Sequence, residues 1–145
     1  MRSRRRGTTT ARRIELQPGT KNWLRLNGTF LMGPRYAALL EAVDHHGSIR
    51  AACQTVGLSY RTCLNRVRQM ERVLGQPVLD THRGGTEGGG ASLTPTARAM
   101  VTVYREWRAE LLKMSDAAFA RALARAPGLA GQLEPSGSSG QRRRR

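Results

Sequence analysis

The spacing of apolar residues changes character several times along the chain, and each change marks an element. Between Ile14 and Met32 the pattern is strand-like. Ile14 and Leu16 alternate around Glu15, and Pro18-Gly19 marks a turn. Trp23, Leu24 and Leu26 make a short run, and Thr29–Met32 runs back after Asn27-Gly28. Asn-Gly between two apolar runs is a strong hairpin signal. From Arg35 to His46 the period lengthens. Tyr36, Leu39, Leu40 and Val43 recur at helical spacing, and Pro34 suits the first helical position, where a missing N–H costs nothing. A short helix from about Ile49 to Val56 follows, with Ser48 as its N-cap and Gly57 as the residue that ends it. Ser59 then caps a third helix, in which Cys63, Val67, Met70 and Leu74 form one apolar stripe; Gly75-Gln76-Pro77 stops it.

The polar residues of that third helix give it a chemistry. Tyr60, Arg61, Thr62, Asn65, Arg66 and Gln69 lie off the apolar stripe, with Arg68 and Arg72 flanking them. Arg and Asn can read base edges, and hydroxyls can hold phosphates. Two helices joined by a Gly turn, the second capped by Ser and basic, predict a helix–turn–helix over Gly47–Gly75. Ser59, Tyr60, Arg61, Thr62, Asn65 and Arg66 are the candidates for the groove. Arg61, Asn65 and Arg66 are placed at bases, Ser59 and Thr62 mostly at phosphates. Next come a strand, Val78–His82, a loop of five glycines within Arg83–Gly90, and a second strand, Ala91–Leu93. A phosphate-cradling nucleotide loop needs Gly-Lys-Ser/Thr opening a helix or a Rossmann turn, and neither is present. The loop instead reads as the tip of a wing whose glycines let backbone approach the sugar-phosphate rail. Arg35, Ser48 and Arg83 are candidate backbone contacts.

After Thr94-Pro95 the apolar residues run Ala97, Met100, Tyr104, Trp107, Leu111, Met114, Ala118, with gaps alternating three and four. A 3.5-residue period over three heptads is a coiled-coil pattern. A helix of about 30 residues spans about 45 Å, longer than so small a core can cover. The expectation is a homodimer through Met100, Tyr104, Trp107, Leu111 and Met114. The predicted fold is mainly α with small β, a winged helix–turn–helix followed by a long dimerisation helix. Its parts are a disordered basic arm (1–13), the winged domain with its N-terminal hairpin (14–94), the long helix (95–126) and a disordered Gly, Ser, Pro and Gln tail ending in Arg142–Arg145 (127–145).

Charge sharpens the choice of partner. The net charge is +15. Residues 1–33 hold eight Lys/Arg against one acid, residues 34–126 thirteen against eight, and residues 127–145 four against one. Such a balance calls for a polyanion, most simply nucleic acid, because Lys/Arg contacts release condensed counterions, and with the helix–turn–helix the expected partner is double-stranded DNA. A membrane surface fits less well, since neither end carries a basic amphipathic helix with a bulky apolar face. No apolar run is long enough to span a bilayer, and no apolar stretch follows the basic N-terminus, so the expected location is cytoplasmic. Cys53 and Cys63 fall on inward positions and read as small hydrophobes. His45 and His46 point about 100° apart on a helix and rarely share one ion, so no metal and no cofactor are expected. No acid pair or nucleophile–base spacing supports an enzyme. The rival reading is a sequence-nonspecific architectural DNA- or RNA-binding protein driven by the Arg-rich ends.

Four runs of residues carry a family likeness. They are Tyr36–Ala52, Leu58–Thr62, Met70–Val78, and Arg83–Pro95 with its Gly-Gly-x-x-Gly-Gly-Gly-Ala wing followed by Leu-Thr. Over about residues 27–115 the chain resembles the N-terminal DNA-binding domain of the ModE family, molybdate-responsive bacterial regulators close to the LysR type. The resemblance implies dimerisation through the helix after the wing and binding to operators of molybdate-uptake and molybdoenzyme genes. Members of that family continue into a pair of oxyanion-binding modules for which 145 residues leave no room. The expectation is therefore that molybdate sensing does not carry over; one refinement of the regulator reading has a separate sensor protein docking on the long helix near Phe119 and Leu123. Two further departures are an acid, Glu87, at the wing tip and Ala97 where relatives have Gly. Ala favours helix by up to about 1 kcal/mol over Gly.

Overall fold

The computed structural model describes residues 15–83 and 89–133, with backbone only at 130 and 131. Two strands, β1 (Leu24–Leu26) and β2 (Thr29–Met32), precede three helices, α1 (Pro34–His46), α2 (Ile49–Val56) and α3 (Tyr60–Leu74). A second hairpin follows, β3 (Leu79–His82) and β4 (Gly90–Leu93), then α4 (Pro95–Ala124) and the one-turn α5 (Leu129–Gln132). The chain divides into two units, Thr20–Met114 and a second formed by the residues before Thr20 and after Met114.

In the first unit the chain's punctuation acts where the sequence puts it. β1 and β2 pair antiparallel across Asn27-Gly28, with Leu26 opposite Thr29. Pro34 sits in the first turn of α1. The Ser48 hydroxyl accepts the Ala51 N–H at 3.3 Å, and the Ser59 hydroxyl accepts the Thr62 N–H at 3.1 Å, so both short-range caps are made. Gly57 has φ 68°, and its N–H caps α2 on the Cys53 and Gln54 carbonyls. A side chain there would be strained, which is why Gly makes the turn between α2 and α3.

The apolar faces of all these elements meet in one core. Met32, Leu39, Leu40 and Val43 come from β2 and α1, Ala52 and Cys53 from α2, and Cys63, Val67 and Met70 from α3. Val78, Leu79, Ala91 and Leu93 come from the second hairpin and its approach, and Ala97, Val101 and Tyr104 from α4. The hairpin is fastened at both ends. The Ala91 N–H donates to the Gly47 carbonyl at 2.8 Å, and the Val78 N–H donates to the Glu71 carboxylate at 3.0 Å. In β3–β4, Leu79 faces Leu93 and His82 faces Gly90. A Cβ on Gly89 would lie 2.6 Å from the His82 carbonyl oxygen, so only glycine lets the strands close at the wing. The wing tip, with Glu87, lies outside the described residues.

Two expectations are corrected. Residues 15–23 form no strand despite the alternation around Glu15; Leu16 is exposed, and a lone extended segment without a pairing strand gains no ladder. Tyr104 does not lie on an open seam. It is 2% exposed, and its hydroxyl donates to the Asn22 main-chain oxygen at 3.0 Å and to Asn22 Oδ1 at 3.4 Å. The Arg108 Nη1 also donates to Asn22 Oδ1, at 3.0 Å. The second unit contains the last turns of α4 and α5. Leu129–Gln132 forms one helical turn inside the stretch whose composition predicted no order.

Candidate nucleic-acid interface

α3 carries two stripes offset by two residues. Cys63, Val67 and Met70 are buried, and Leu74 packs against the core beside them. Arg61, Asn65, Arg68 and Arg72 follow the same four–three–four spacing, and all four are exposed. At 100° per residue the second stripe lies about 200° round the helix from the first. Burying one therefore presents the other. Four Arg against the single Glu71 give α3 a charge of +3, and Glu71 is engaged by the Val78 N–H. Among the described residues the ion pairs are Arg98–Asp44 at 2.6 Å and Lys113–Glu110 at 3.2 Å, so Arg61, Arg68 and Arg72 carry uncompensated charge.

The sequence candidates divide on this geometry. Arg61 and Asn65 stand on the exposed stripe. Tyr60 is exposed at the start of α3, with the Arg50 guanidinium 5.2 Å over its ring. Arg35 and Arg83 are exposed, at the start of α1 and at the end of β3. Four hydroxyl or guanidinium groups are already engaged within the protein. The Ser48 hydroxyl caps α2. Ser59 Oγ and Thr62 Oγ1 lie 2.8 Å apart. Arg66 lies off the stripe, with its guanidinium 5.2 Å over the Tyr36 ring and its Nη1 buried without a hydrogen-bond partner. Arg68 and Arg72, read from sequence as flanking, belong to the stripe, and Arg50 joins the surface beside Tyr60. The four–three–four spacing from Arg61 was the signal for the first two; nothing in the sequence pointed to Arg50.

Cys53 and Cys63 are buried free thiols. The Cys63 thiol is pushed up to about 12, first by burial and then by the hydrogen bond and charge of Cys53, with Arg66 pulling the other way. That is a packed thiol rather than a reactive one. His46 Nε2 lies 2.8 Å from Thr55 Oγ1, and among the described residues no three His, Cys, Asp or Glu side chains cluster as metal ligands would.

On α4 the apolar residues serve two directions. Ala97, Val101 and Tyr104 face inward, and Met100 is half-buried against the core. Val103, Trp107 and Met114 are 57%, 38% and 66% exposed, and Leu111 is half-buried. The three exposed residues fall within about 40° of one another, about 100° round the helix from the inward face. No helix among the described residues is long and apolar enough to cross a membrane.

A trihelical core with its second and third helices joined by a glycine turn, followed by a two-stranded wing, defines a winged helix–turn–helix domain. Residues 35–98 match the family model for the bacterial regulatory helix-turn-helix protein, lysR family. Over those residues the chain is similar to the LysR-family helix–turn–helix. The molybdenum-pterin-binding protein MopB of Rhodobacter capsulatus is 40% identical over 83 residues, 57% of this chain and 31% of that protein. The molybdenum transport protein ModE of Azotobacter vinelandii is 34% identical over 93 residues, 61% of this chain and 34% of that protein. The chain therefore spans about a third of the length of these curated relatives. Among solved structures, a CbnR_DBD-DNA complex covers 63% of this chain and 95% of that chain at 22% identity, with a TM-score of 0.44.

Proposed function

We propose that this chain is a bacterial transcriptional regulator that binds double-stranded DNA through α3 and acts as a homodimer on a near-palindromic operator. The observation that carries the reading is the exposed Arg61–Asn65–Arg68–Arg72 stripe on a helix fixed by the core beneath it. Arg61 and Asn65, in the first two turns, are the base readers, since the N-terminal part of a recognition helix reaches base edges. Arg68, Arg72, Arg35, Arg50 and Arg83 are assigned to phosphates. Their work is position and affinity rather than sequence choice.

The homodimer reading rests on the second apolar face of α4, where Val103, Trp107 and Met114 stay exposed although the Trp107 ring meets Tyr104 edge-on. Joining two copies there would set two recognition helices about one DNA turn, roughly 34 Å, apart. The names of the relatives, a molybdenum-pterin-binding protein and a molybdenum transport protein, support operators at molybdate or other metal-oxyanion genes. A separate sensor protein is the partner from which the domain would take its signal. The test is a binding series on one operator. Arg61→Ala is expected to lose about 1–3 kcal/mol and relax the preference at one base, whereas Arg72→Ala weakens binding to all sequences and lowers the salt slope by about one. Arg61→Ala weakening every sequence alike overturns its base-reading role. Full retention of affinity in both variants, with loss on removing residues 1–13 and 142–145, would favour the architectural reading.

A further inference from the structure

Tyr36 lies on α1, outside the recognition helix, yet it makes two contacts to the flank of α3. Its hydroxyl donates to Gln69 Oε1 at 2.9 Å, and its ring lies 5.2 Å beneath the Arg66 guanidinium. The ring is itself held. Phe30 of β2 meets it edge-on with centroids 5.2 Å apart. The hairpin, α1 and α3 are thus linked through one aromatic side chain. Arg66 Nη1, buried and without a hydrogen-bond partner, is kept in place by this stack, because the ring face offers a cation negative potential. Arg66 is consequently committed to Tyr36 rather than to a base.

The contact to Gln69 has a chemical consequence for base choice. A free glutamine amide can pair with adenine in the major groove by accepting from N6 and donating to N7. With one lone pair of its carbonyl oxygen taken by the Tyr36 hydroxyl, Gln69 keeps both amide donors but is a weaker acceptor for adenine N6. Donors alone suit guanine O6 and N7 or thymine O4. We infer that Tyr36 is a positioning residue for sequence specificity, which holds Gln69 as a donor and biases its base position against adenine. This rests on the DNA-binding reading and adds to it a residue that never touches the nucleic acid.

The test uses the full chain and the duplex that it selects, with every single-base variant of that duplex competed in turn. Gln69→Ala locates the base position that Gln69 reads. Tyr36→Phe keeps the ring, the Phe30 contact and the Arg66 stack and removes only the hydroxyl. At the position Gln69→Ala identifies, Tyr36→Phe is expected to raise the relative affinity for adenine about three- to tenfold, on the order of one hydrogen bond, with other positions and the thermal midpoint unchanged. Tyr36→Phe leaving that position unaltered, or Gln69→Ala altering no position, overturns the inference while the regulator reading stands. A parent chain that selects no sequence overturns the reading beneath it, and the inference with it.

Discussion

Replacing Tyr104 by Phe separates two roles that the heptad pattern of α4 had merged. The hydroxyl donates to the Asn22 main-chain oxygen at 3.0 Å. Asn22 Oδ1 keeps a donor after the substitution, the Arg108 Nη1 at 3.0 Å. The main-chain oxygen loses its donor within a buried site, since Asn22 is 6% exposed. Leaving one buried acceptor unpaired costs about 1–3 kcal/mol. The unit Thr20–Met114 is of the size for which each kcal/mol moves the melting temperature by about 4–8 °C, so a fall of roughly 5–20 °C is expected. Tyr104→Ala removes the whole ring from the core and should cost about 3–5 kcal/mol, a large share of an ordinary domain stability of about 5–15 kcal/mol. Thermal unfolding followed by circular dichroism at several protein concentrations measures both. Were Tyr104 a seam residue, Tyr104→Phe would be silent and Tyr104→Ala would leave a folded monomer. A melting temperature for Tyr104→Phe within a degree of the parent refutes the reasoning.

Three further outcomes follow from the same geometry. Trp107→Glu with Met114→Glu places charge on the exposed face of α4; sedimentation should show monomer with the fold intact, and an unchanged oligomeric state would remove that face from the interface. Gly57→Ala puts a side chain at φ 68° with open space around it, so the expected loss is backbone strain alone, about 1 kcal/mol by chemical denaturation. The Cys63 thiol holds its proton up to about 12 in the folded state but ionises near 9.0 in the unfolded chain. Its contribution is therefore whole below pH 9 and lost as the pH rises from 9 to 12. The Tyr104 hydroxyl, raised above 10.0 by burial with Arg108 opposing, acts in the same direction. The stability of Cys63→Ala should fall less steeply across that window than the parent's, and equal slopes would rule the thiol out.

Much of the fold is legible because its signals are local. Ser48, Gly57, Ser59 and Gly75 punctuate α2 and α3 through contacts three or four residues away, and the stripe Cys63–Val67–Met70–Leu74 needs only helical geometry to point inward. The failures are non-local. The three–four gaps from Ala97 to Met114 fit one seam, but Asn22, more than eighty residues earlier in the chain, draws Tyr104 inward and leaves Trp107 and Met114 outside. Leu16 alternates as a strand would, yet no strand among the described residues pairs with it. At the interface, the basic residue types were readable and their allegiance was not. Whether an arginine on α3 faces outward, as Arg61 does, or lies on an aromatic ring, as Arg66 does, is decided by Tyr36 on another helix. Arg68 and Arg72 were within reach of the sequence, since they continue the spacing of Arg61 and Asn65.

Specific, dimeric reading of duplex DNA by α3 is tested by selecting bound sequences from a random duplex pool at near-physiological salt. The expected result is a near-palindromic motif with one fixed half-site spacing, lost at defined positions in Arg61→Ala. A featureless pool, bound with a steep salt dependence that Arg61→Ala does not alter, would contradict it.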